Sequence, residues 1–212
     1  MAYGKQPSII EKINIECEEM MLYQYVPIKL IDRTPIDYEQ RLHCFTELIS
    51  KCCLDFIDTF GRLKYDNSYM YLTVKRHFIT KDNNLNRFGY HSDGFMTDDI
   101  NYVWSDNTPT VFNNSEFRLA QDDRISLLQM EQQADPSKDT VYPNKTLIRL
   151  DQFNIHKVAE VNKEQFRTFV KVSFSRDKYD LKGNSKNYML DYDWDMRERK
   201  EERNIPQLLK NK

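Results

Sequence analysis

The fold class is indicated most clearly by one stretch of sequence, Tyr69-Met-Tyr-Leu-Thr-Val-Lys-Arg-His-Phe-Ile-Thr80. The stretch is rich in aromatic and β-branched residues, which favour strands because their side chains pack well on a pleated, half-buried surface. The polar segment 81–86 that follows has the composition of a turn. The sequence therefore predicts a long strand here.

On the N-terminal side of this strand, the sequence predicts a helix over residues 35–60. Thr34 stands at a natural N-cap position and Pro35 at the first helical position. Apolar residues recur along the segment at three- and four-residue spacings, and Gly61 supplies a natural end. We expect this helix to pack on the core, and a second helix is predicted over 9–21.

On the C-terminal side, a series of shorter strands is predicted from the same residue types and the turns between them. These strands lie at 87–95, 100–104, 111–112, 146–150, 153–161 and 166–174, with a short helix over 124–133. Helices that precede many short strands predict a mainly β (α+β) fold, a sandwich or barrel with N-terminal helices packed on it.

Length and composition set the broad class of the protein. The 212 residues suit one domain, which we divide into a helical support (1–61), a β core (62–176) and a C-terminal extension (177–212). A formal net charge of -2 disfavours non-specific nucleic-acid binding without excluding a local basic groove. The chain has no glycine-rich phosphate loop and no Gly-x-Ser-x-Gly elbow, which disfavours nucleotide-dependent transferases and serine hydrolases.

Cysteine usage and hydropathy give an expectation for the compartment. None of the four cysteines forms a Cys-x-x-Cys pair, and free thiols without a disulfide framework indicate a reducing environment. No secretory signal and no run of 18 apolar residues is visible, so we expect no membrane span. The expected location is the cytoplasm.

A histidine and an aspartate two residues apart form the first part of a candidate metal site. They are His91 and Asp93, in Gly89-Tyr-His-Ser-Asp-Gly94. In an extended segment, side chains at these positions leave the same face about 6–7 Å apart and can turn toward one ion. For an isolated pair of this kind, a simple turn with Asp93-Gly94 as its turn residues is the favoured interpretation, and the metal site gains weight only with a third ligand and the arginine described next.

His156 is the best candidate for the third ligand. It lies just before the turn predicted at Asn162-Lys163. Two histidines and one carboxylate on one face of an octahedron form the facial triad of non-haem iron(II) oxygenases, which leaves three positions open. Arg167 follows on the far arm of the predicted hairpin, where its planar fork can pair with a carboxylate.

This ordered set of residues resembles the Fe(II)/2-oxoglutarate-dependent dioxygenases over roughly residues 69–174. The resemblance implies a double-stranded β-helix (jelly-roll, cupin-like) core, Fe(II) bound by His91, Asp93 and His156, and 2-oxoglutarate bound through Arg167. Many members of the family have a serine two residues after the arginine, but this chain has Phe169. The second hydrogen bond to the cosubstrate would then come from another group, with Tyr102, Tyr71 and Thr73 as candidates.

The resemblance implies a hydroxylase that acts on a small molecule or on a peptide or protein side chain. Two alternatives stay open: a metal-dependent cupin-like enzyme that does not use 2-oxoglutarate, and a non-catalytic jelly-roll protein used for binding or assembly. The stretch Tyr192-Asp-Trp-Asp195 can close over the site or pack as part of the tail. The sequence does not determine the substrate or the oligomeric state.

Overall fold

Nine strands and three α-helices make up the regular structure of residues 2–32, 35–81 and 89–199, the part of the chain that this computed structural model describes. The strands are β1 (Ser8–Lys12), β2 (Met21–Lys29), β3 (Tyr69–Ile79), β4 (Ile100–Ser105), β5 (Val111–Asn113), β6 (Asp139–Val141), β7 (Thr146–Leu150), β8 (His156–Lys157) and β9 (Gln165–Ser175). The α-helices are α1 (Thr46–Phe60), α2 (Arg62–Asp66) and α3 (Asp123–Gln133), and 3-10 helices span Gln40–Phe45 and Pro136–Lys138. No helix in these ranges has the length and apolar character needed to cross a bilayer.

The strands pair antiparallel and form two sheets. The larger sheet has the order β1-β7-β4-β9-β3-β2, and the smaller one has the order β6-β5-β8. Strands β3 and β9 are each eleven residues long and pair over their whole length. Two antiparallel sheets packed on each other are the arrangement of a jelly roll, so the predicted mainly β, jelly-roll fold is confirmed.

Helix α1 covers one face of the larger sheet. Its inward side chains recur every three or four residues and are at most 2% exposed: Leu48, Ile49, Cys52 and Phe56. The ring of Phe56 stacks on Phe174 of β9, with centroids 4.1 Å apart. The helix ends before Gly61, whose φ of 86° lies in the left-handed region that glycine adopts without strain.

The other face of the larger sheet packs against the smaller sheet. Val103, Ile148 and Leu150 contribute an apolar cluster there together with Phe112 of β5. Because side chains alternate along a strand, the odd-numbered residues of β9 point to this interior while its even-numbered valines join the core under α1. The interior of the jelly roll therefore receives polar side chains from β9.

The prediction of a helix over 9–21 is wrong. Strand β1 occupies part of this segment and pairs with β7, and β2 then pairs with β3. Edge strands have unpaired backbone groups that need partners, and the N-terminal segment supplies them on both sides of the sheet. Pairing between distant strands has therefore overridden the local helical pattern. Within residues 1–61, the described helices are confined to Gln40–Phe45 and Thr46–Phe60.

The predicted helix over 35–60 is correct only in its second half. The backbone N–H of Asp37 donates to the carbonyl of Ile28 (3.0 Å), and the side-chain amide of Asn187 donates to the carbonyl of Asp37 (2.7 Å). These bonds tie residues 35–39 to β2, so that the 3-10 helix begins at Gln40. The proposed cap at Thr34 lies outside the described residues.

Four of the shorter predicted strands and the helix over 124–133 are confirmed within two residues. The strand predicted over 153–161 is reduced to His156–Lys157. The described part of the segment predicted at 87–95 is a turn rather than a strand, and positions 87 and 88 lie outside the described residues. Positions 200–212 of the C-terminal extension also lie outside the described residues.

We expect Phe56→Ala to lower the free energy of unfolding by about 3–5 kcal/mol, because it leaves a cavity between α1 and β9. The matched control on the same helix is Leu54→Ala, since Leu54 is 59% exposed and its loss should change stability by less than about 0.5 kcal/mol. Urea denaturation of both variants measures the difference. Equal effects of the two substitutions would contradict the packing described here.

Candidate metal centre

Two histidines that are distant in sequence meet between the loop after β3 and strand β8. The N–H of His91 donates to the carbonyl of His156 (2.8 Å), and the N–H of His156 donates to the carbonyl of His91 (2.9 Å). The two imidazole rings lie side by side, with centroids 4.5 Å apart. A reciprocal pair of backbone hydrogen bonds thus fixes the relative position of the rings.

The same local hydrogen bond orients both rings. Nδ1 of His91 lies 2.9 Å from the carbonyl oxygen of Gly89, and Nδ1 of His156 lies 3.0 Å from that of Asn154. A carbonyl oxygen only accepts, so Nδ1 carries the proton in each ring and the lone pair of the neutral imidazole is on Nε2. An outer-shell carbonyl of this kind is the usual partner of a metal-binding histidine.

Asp93 reaches the histidines through a tight turn rather than through an extended strand. Gly94 has a φ of 68°, and a Cβ atom there would come within 2.9 Å of Asp99. Gln152 holds the turn from outside: its carbonyl accepts from the Ser92 hydroxyl (2.6 Å), and its side chain donates to the carbonyl of Thr97 (2.6 Å). The turn is therefore built to return the Asp93 carboxylate toward β8.

The three side chains can bind one metal ion. Each offers one ligand atom, and the three atoms lie within 4.8 Å of one another. Oδ2 of Asp93 is 3.8 Å from Nε2 of His156. Atoms that share an ion at about 2.0–2.2 Å lie about 3–4 Å apart. The 3.8 Å between Oδ2 and Nε2 suits a shared ion, and spacings near the 4.8 Å limit would have to shorten when the ion binds. The chemistry of the donor set, two imidazoles and a carboxylate, is that of a facial triad.

A lysine from the opposite sheet supports the aspartate. Nζ of Lys171 on β9 lies 3.1 Å from Oδ2 of Asp93, and it also donates to the hydroxyl of Tyr25 on β2 (3.1 Å). Lys171 is only 8% exposed, and an ammonium buried to this degree needs a counter-charge. The ion pair holds the same carboxylate oxygen, Oδ2, that lies 3.8 Å from Nε2 of His156.

The charges around Asp93 set its pKa. Burial alone would raise the pKa of this carboxyl, but Lys171 and then the two histidines hold it well below its usual range. For Lys171, burial alone would lower the pKa, but the Asp93 charge and the Tyr25 hydroxyl raise it above its usual value. Both groups are therefore ionised at neutral pH, and the carboxylate is in the form that a cation binds.

Arg167 lies on the same face of β9 as Lys171, four residues away. Its side chain is 2% exposed, and Nε donates to the carbonyls of Asn107 (3.2 Å) and Thr108 (3.0 Å). The guanidinium lies over the ring of Phe169, 5.0 Å from its centroid. Its Nη1 is buried and has no hydrogen-bond partner among residues 2–32, 35–81 and 89–199, and an unsatisfied buried donor is costly unless a ligand completes it.

A third cation lies between these two on the neighbouring strand. Lys75 of β3 pairs in register with Phe169 of β9. Burial, followed by the charges of Lys171 and Arg167, lowers the pKa of Lys75 to about 8. The interior next to the metal centre therefore has an excess of positive charge that an anion can neutralise.

The structure does not bring Tyr102 to this site. Tyr102 pairs in register with Val172, and its hydroxyl donates to Asp55 of helix α1 (2.6 Å). Side chains alternate between the two faces of a strand, and Tyr102 is at one of the β4 positions whose side chains point to the helix-covered face rather than to the interior. Tyr71 and Thr73 of β3 do point to the interior, on the same face of the sheet as Lys171.

Three supporting residues were missed by the sequence reasoning: Tyr25, Gln152 and Lys171. For Lys171 a signal was present, since a charged residue within an otherwise apolar strand, in phase with Arg167, marks a polar interior position. No sequence signal links Tyr25 or Gln152 to the site, because both depend on how distant segments pack.

No family model matches the chain, and no curated protein matches it. Among solved structures, the chain is similar to EvdO2 from Micromonospora carbonacea var. aurantiaca, with a TM-score of 0.41 and 12% identity over 71% of this chain and 76% of that one. It is also similar to an oxidoreductase of the 2OG-Fe(II) oxygenase family from Burkholderia pseudomallei, with a TM-score of 0.41 and 13% identity over 80% of this chain and 75% of that one. Likenesses of this size carry no information on activity, so the function is inferred from the side chains themselves.

Proposed function

We propose that the chain is a non-haem iron(II) enzyme that uses 2-oxoglutarate and oxygen to hydroxylate a small molecule or a peptide side chain. The observation that carries this proposal is the convergence of His91, Asp93 and His156, whose ligand atoms lie within 4.8 Å of one another. The donor set is that of the iron(II) facial triad and disfavours calcium, which takes six to eight oxygen ligands. Catalytic zinc uses the same kinds of ligand, so iron is assigned here together with the proposed anchor for 2-oxoglutarate.

Bound Fe(II) would supply redox chemistry in which oxygen converts 2-oxoglutarate to succinate and CO₂ and a substrate C–H bond to C–OH. The protein contributes the positions of the groups. The carbonyls of Gly89 and Asn154 keep both imidazoles in the tautomer that presents Nε2. Lys171 holds the Asp93 carboxylate in its ionised form and restricts its rotation.

Arg167 is the proposed anchor for the distal carboxylate of 2-oxoglutarate. Its buried Nη1 has no partner within the described residues, while Nε is fixed by two carbonyls. A carboxylate at this point satisfies the donor and neutralises a buried charge. Burial lowers the pKa of Arg167 to about 10, so the guanidinium is still protonated at neutral pH and can make this pair.

Phe169 takes the place of the serine that many family members have two residues after the arginine. Its ring supports the guanidinium from one side and supplies no hydrogen bond. Of the candidates for the second hydrogen bond, Thr73 lies in register with Lys171 on the neighbouring strand, and its hydroxyl accepts from the backbone N–H of Tyr25 (3.0 Å). The Thr73 hydroxyl proton has no acceptor in the part of the chain that the structure describes, so we propose Thr73 for this role.

The ion pair of Lys171 and Asp93 also favours a second candidate function, a non-catalytic jelly-roll protein. In that case Lys171 alone neutralises Asp93, and the two histidines complete a structural polar network. A metal-dependent enzyme that does not use 2-oxoglutarate is the third possibility. Stoichiometric metal binding distinguishes the two enzymes from the non-catalytic protein. Binding of 2-oxoglutarate through Arg167 distinguishes the proposed oxygenase from the metal-dependent enzyme that does not use a keto acid.

All four cysteines are free thiols, which supports the cytoplasm as the proposed place of action.

We expect the wild-type protein to bind one equivalent of Fe(II) under anaerobic conditions and to develop a weak visible charge-transfer band when 2-oxoglutarate is added. In His91→Ala the band should be lost, because two ligands cannot hold the ion and the chelate. The matched control is His43→Ala, because His43 is exposed on the 3-10 helix far from this site. A band of equal strength in His91→Ala, or no stoichiometric metal in the wild type, would contradict the proposal.

We expect Arg167→Gln to weaken 2-oxoglutarate binding about 10- to 100-fold, which is the loss of one or two charge-assisted hydrogen bonds, and to leave Fe(II) binding unchanged. Arg76→Gln is the matched control, because Arg76 bonds Thr168 on the opposite face of the same strand pair. Calorimetric titration of the metal-loaded variants measures both affinities. Equal 2-oxoglutarate affinity in the wild type and in Arg167→Gln would contradict the assignment of Arg167. Fe(II) binding without any 2-oxoglutarate binding in the wild type would favour the metal-dependent enzyme that does not use a keto acid.

A further inference from the structure

Three side chains that have no role in the site described above meet close to its two histidines: Tyr90, Asp139 and Lys157. The hydroxyl of Tyr90 donates to the carboxylate of Asp139, whose two oxygens lie 2.9 and 3.0 Å away. Nζ of Lys157 donates to the Tyr90 hydroxyl (2.6 Å) and to Oδ2 of Asp139 (2.7 Å). The three groups therefore form a closed Tyr90–Asp139–Lys157 triangle, and its hydrogen bonds to charged groups are stronger than bonds between neutral ones.

The position of the triangle along the chain connects it with both imidazoles. Tyr90 directly precedes His91, and Lys157 directly follows His156. In an antiparallel pair, the residue before one partner lies across from the residue after the other, so Tyr90 and Lys157 meet one step beyond the bridge of the histidines. Consecutive side chains of β8 leave opposite faces. Lys157 therefore projects away from the side on which the His156 ring meets the metal centre.

The bridge of the two histidines needs support from side chains. It is an isolated bridge beside a strand of only two residues. Its two backbone hydrogen bonds replace bonds to water, so their net contribution to stability is small. The triangle joins the same two segments by further hydrogen bonds, and it is therefore placed to keep the bridge closed.

Asp139 gives the triangle a fixed point in the smaller sheet. It is the first residue of β6 and pairs in register with Asn113 of β5. The side-chain amide of Asn113, a fully buried residue, donates to Oδ1 of Asp139 (2.7 Å) and to the carbonyl of Asp135 (2.8 Å). The Asp139 carboxylate thus accepts hydrogen bonds from three residues and cannot move without breaking several of them.

Helix α3 fixes the backbone of Tyr90. Oε2 of Glu131 accepts from the backbone N–H of Tyr90 (3.1 Å). A Cβ atom at Gly89, whose φ is 80°, would lie 3.1 Å from the same oxygen, so glycine suits this position. The carbonyl of Gly89 is the partner of Nδ1 of His91. The segment that orients this imidazole is therefore held both by α3 and by the triangle.

We infer that the triangle positions the metal centre: it holds the paired histidines from behind and thereby raises the affinity for the ion. Its three residues do not contact the ion themselves. Ligands that are already in place lose less conformational entropy when the ion binds, and partners outside the ligand set typically change metal affinity about 10- to 100-fold. The inference rests on the proposed function only in that the three proposed ligands bind a divalent ion.

The first test measures the binding of Mn(II) to the full chain from the loss of the EPR signal of the free ion. Tyr90→Phe removes the hydroxyl and keeps the buried ring, so we expect the dissociation constant to rise about tenfold. Tyr102→Phe is the matched control, because it also removes a hydroxyl that donates to a carboxylate, that of Asp55 on the helix-covered face (2.6 Å). Both variants should lower the urea midpoint, but only Tyr90→Phe should weaken metal binding. Equal Mn(II) affinity in the two variants would overturn the inference.

A second pair of variants tests the contribution of Lys157. Lys157→Met removes the charge and both hydrogen bonds, and it should weaken Mn(II) binding about as much as Tyr90→Phe. Lys157→Arg keeps a charged donor and should restore most of the affinity. Wild-type affinity in Lys157→Met, or equal losses in both variants, would count against the triangle.

The last readout needs no metal. Side-chain ¹H–¹⁵N correlation spectra of the metal-free protein report which ring nitrogen of each histidine carries the proton. The wild type should show the proton on Nδ1 of His91, and Tyr90→Phe should give a mixture of tautomers, because the ring is no longer held against the carbonyl of Gly89. Identical histidine signals in the two proteins would overturn the inference.

The outcomes separate this inference from the proposed function. Metal binding by the wild type that Tyr90→Phe leaves unchanged would remove only the inference. If the wild type binds no Mn(II) or Fe(II), the proposed function fails together with the effect on metal affinity. The histidine signals would then still decide whether the triangle positions the rings.

Discussion

The reciprocal backbone hydrogen bonds between His91 and His156 are the constraint on which the rest of the site depends. They join the loop after β3 to the shortest strand of the smaller sheet, and they fix two imidazoles that 64 residues separate in sequence. Asp93 then needs only a tight turn at Gly94 to reach them. Without these two hydrogen bonds, the imidazoles of His91 and His156 would not be held next to the Asp93 carboxylate, and the set of three metal ligands would be incomplete.

Positive charge is concentrated in the interior beside the candidate metal centre. Arg167, Lys75 and Lys171 project from two neighbouring strands of the larger sheet, and Asp93 is the counter-charge of Lys171. Under the proposed function, the dicarboxylate 2-oxoglutarate would neutralise the excess positive charge that remains.

The sequence predicted those features that depend on local pattern. The strand at 69–80, the strands at 100–104 and 166–174, and the second half of the long helix follow from residue type and spacing. Their order predicts a mainly β sandwich or barrel, and the jelly roll was implied by the family resemblance. The segments 9–21 and 35–39 could not be predicted in this way, because pairing with β7 and bonds to Ile28 and Asn187 decide their conformation. The same limit applies to the site. His91, Asp93 and His156 were found from their residue types, whereas the support from Lys171, Tyr25 and Gln152, and the orientation of Tyr102 away from the site, are set by tertiary packing and by the phase of each strand.

The most direct test of the central claim is anomalous diffraction from crystals of the full chain grown anaerobically with Fe(II) or with Mn(II) in its place. The account predicts one strong anomalous peak within about 2.0–2.3 Å of Nε2 of His91, a carboxylate oxygen of Asp93 and Nε2 of His156. Lys171 should still contact the carboxylate in that structure. A site without a peak at saturating metal, or a peak bound by other residues while Lys171 alone neutralises Asp93, would contradict it.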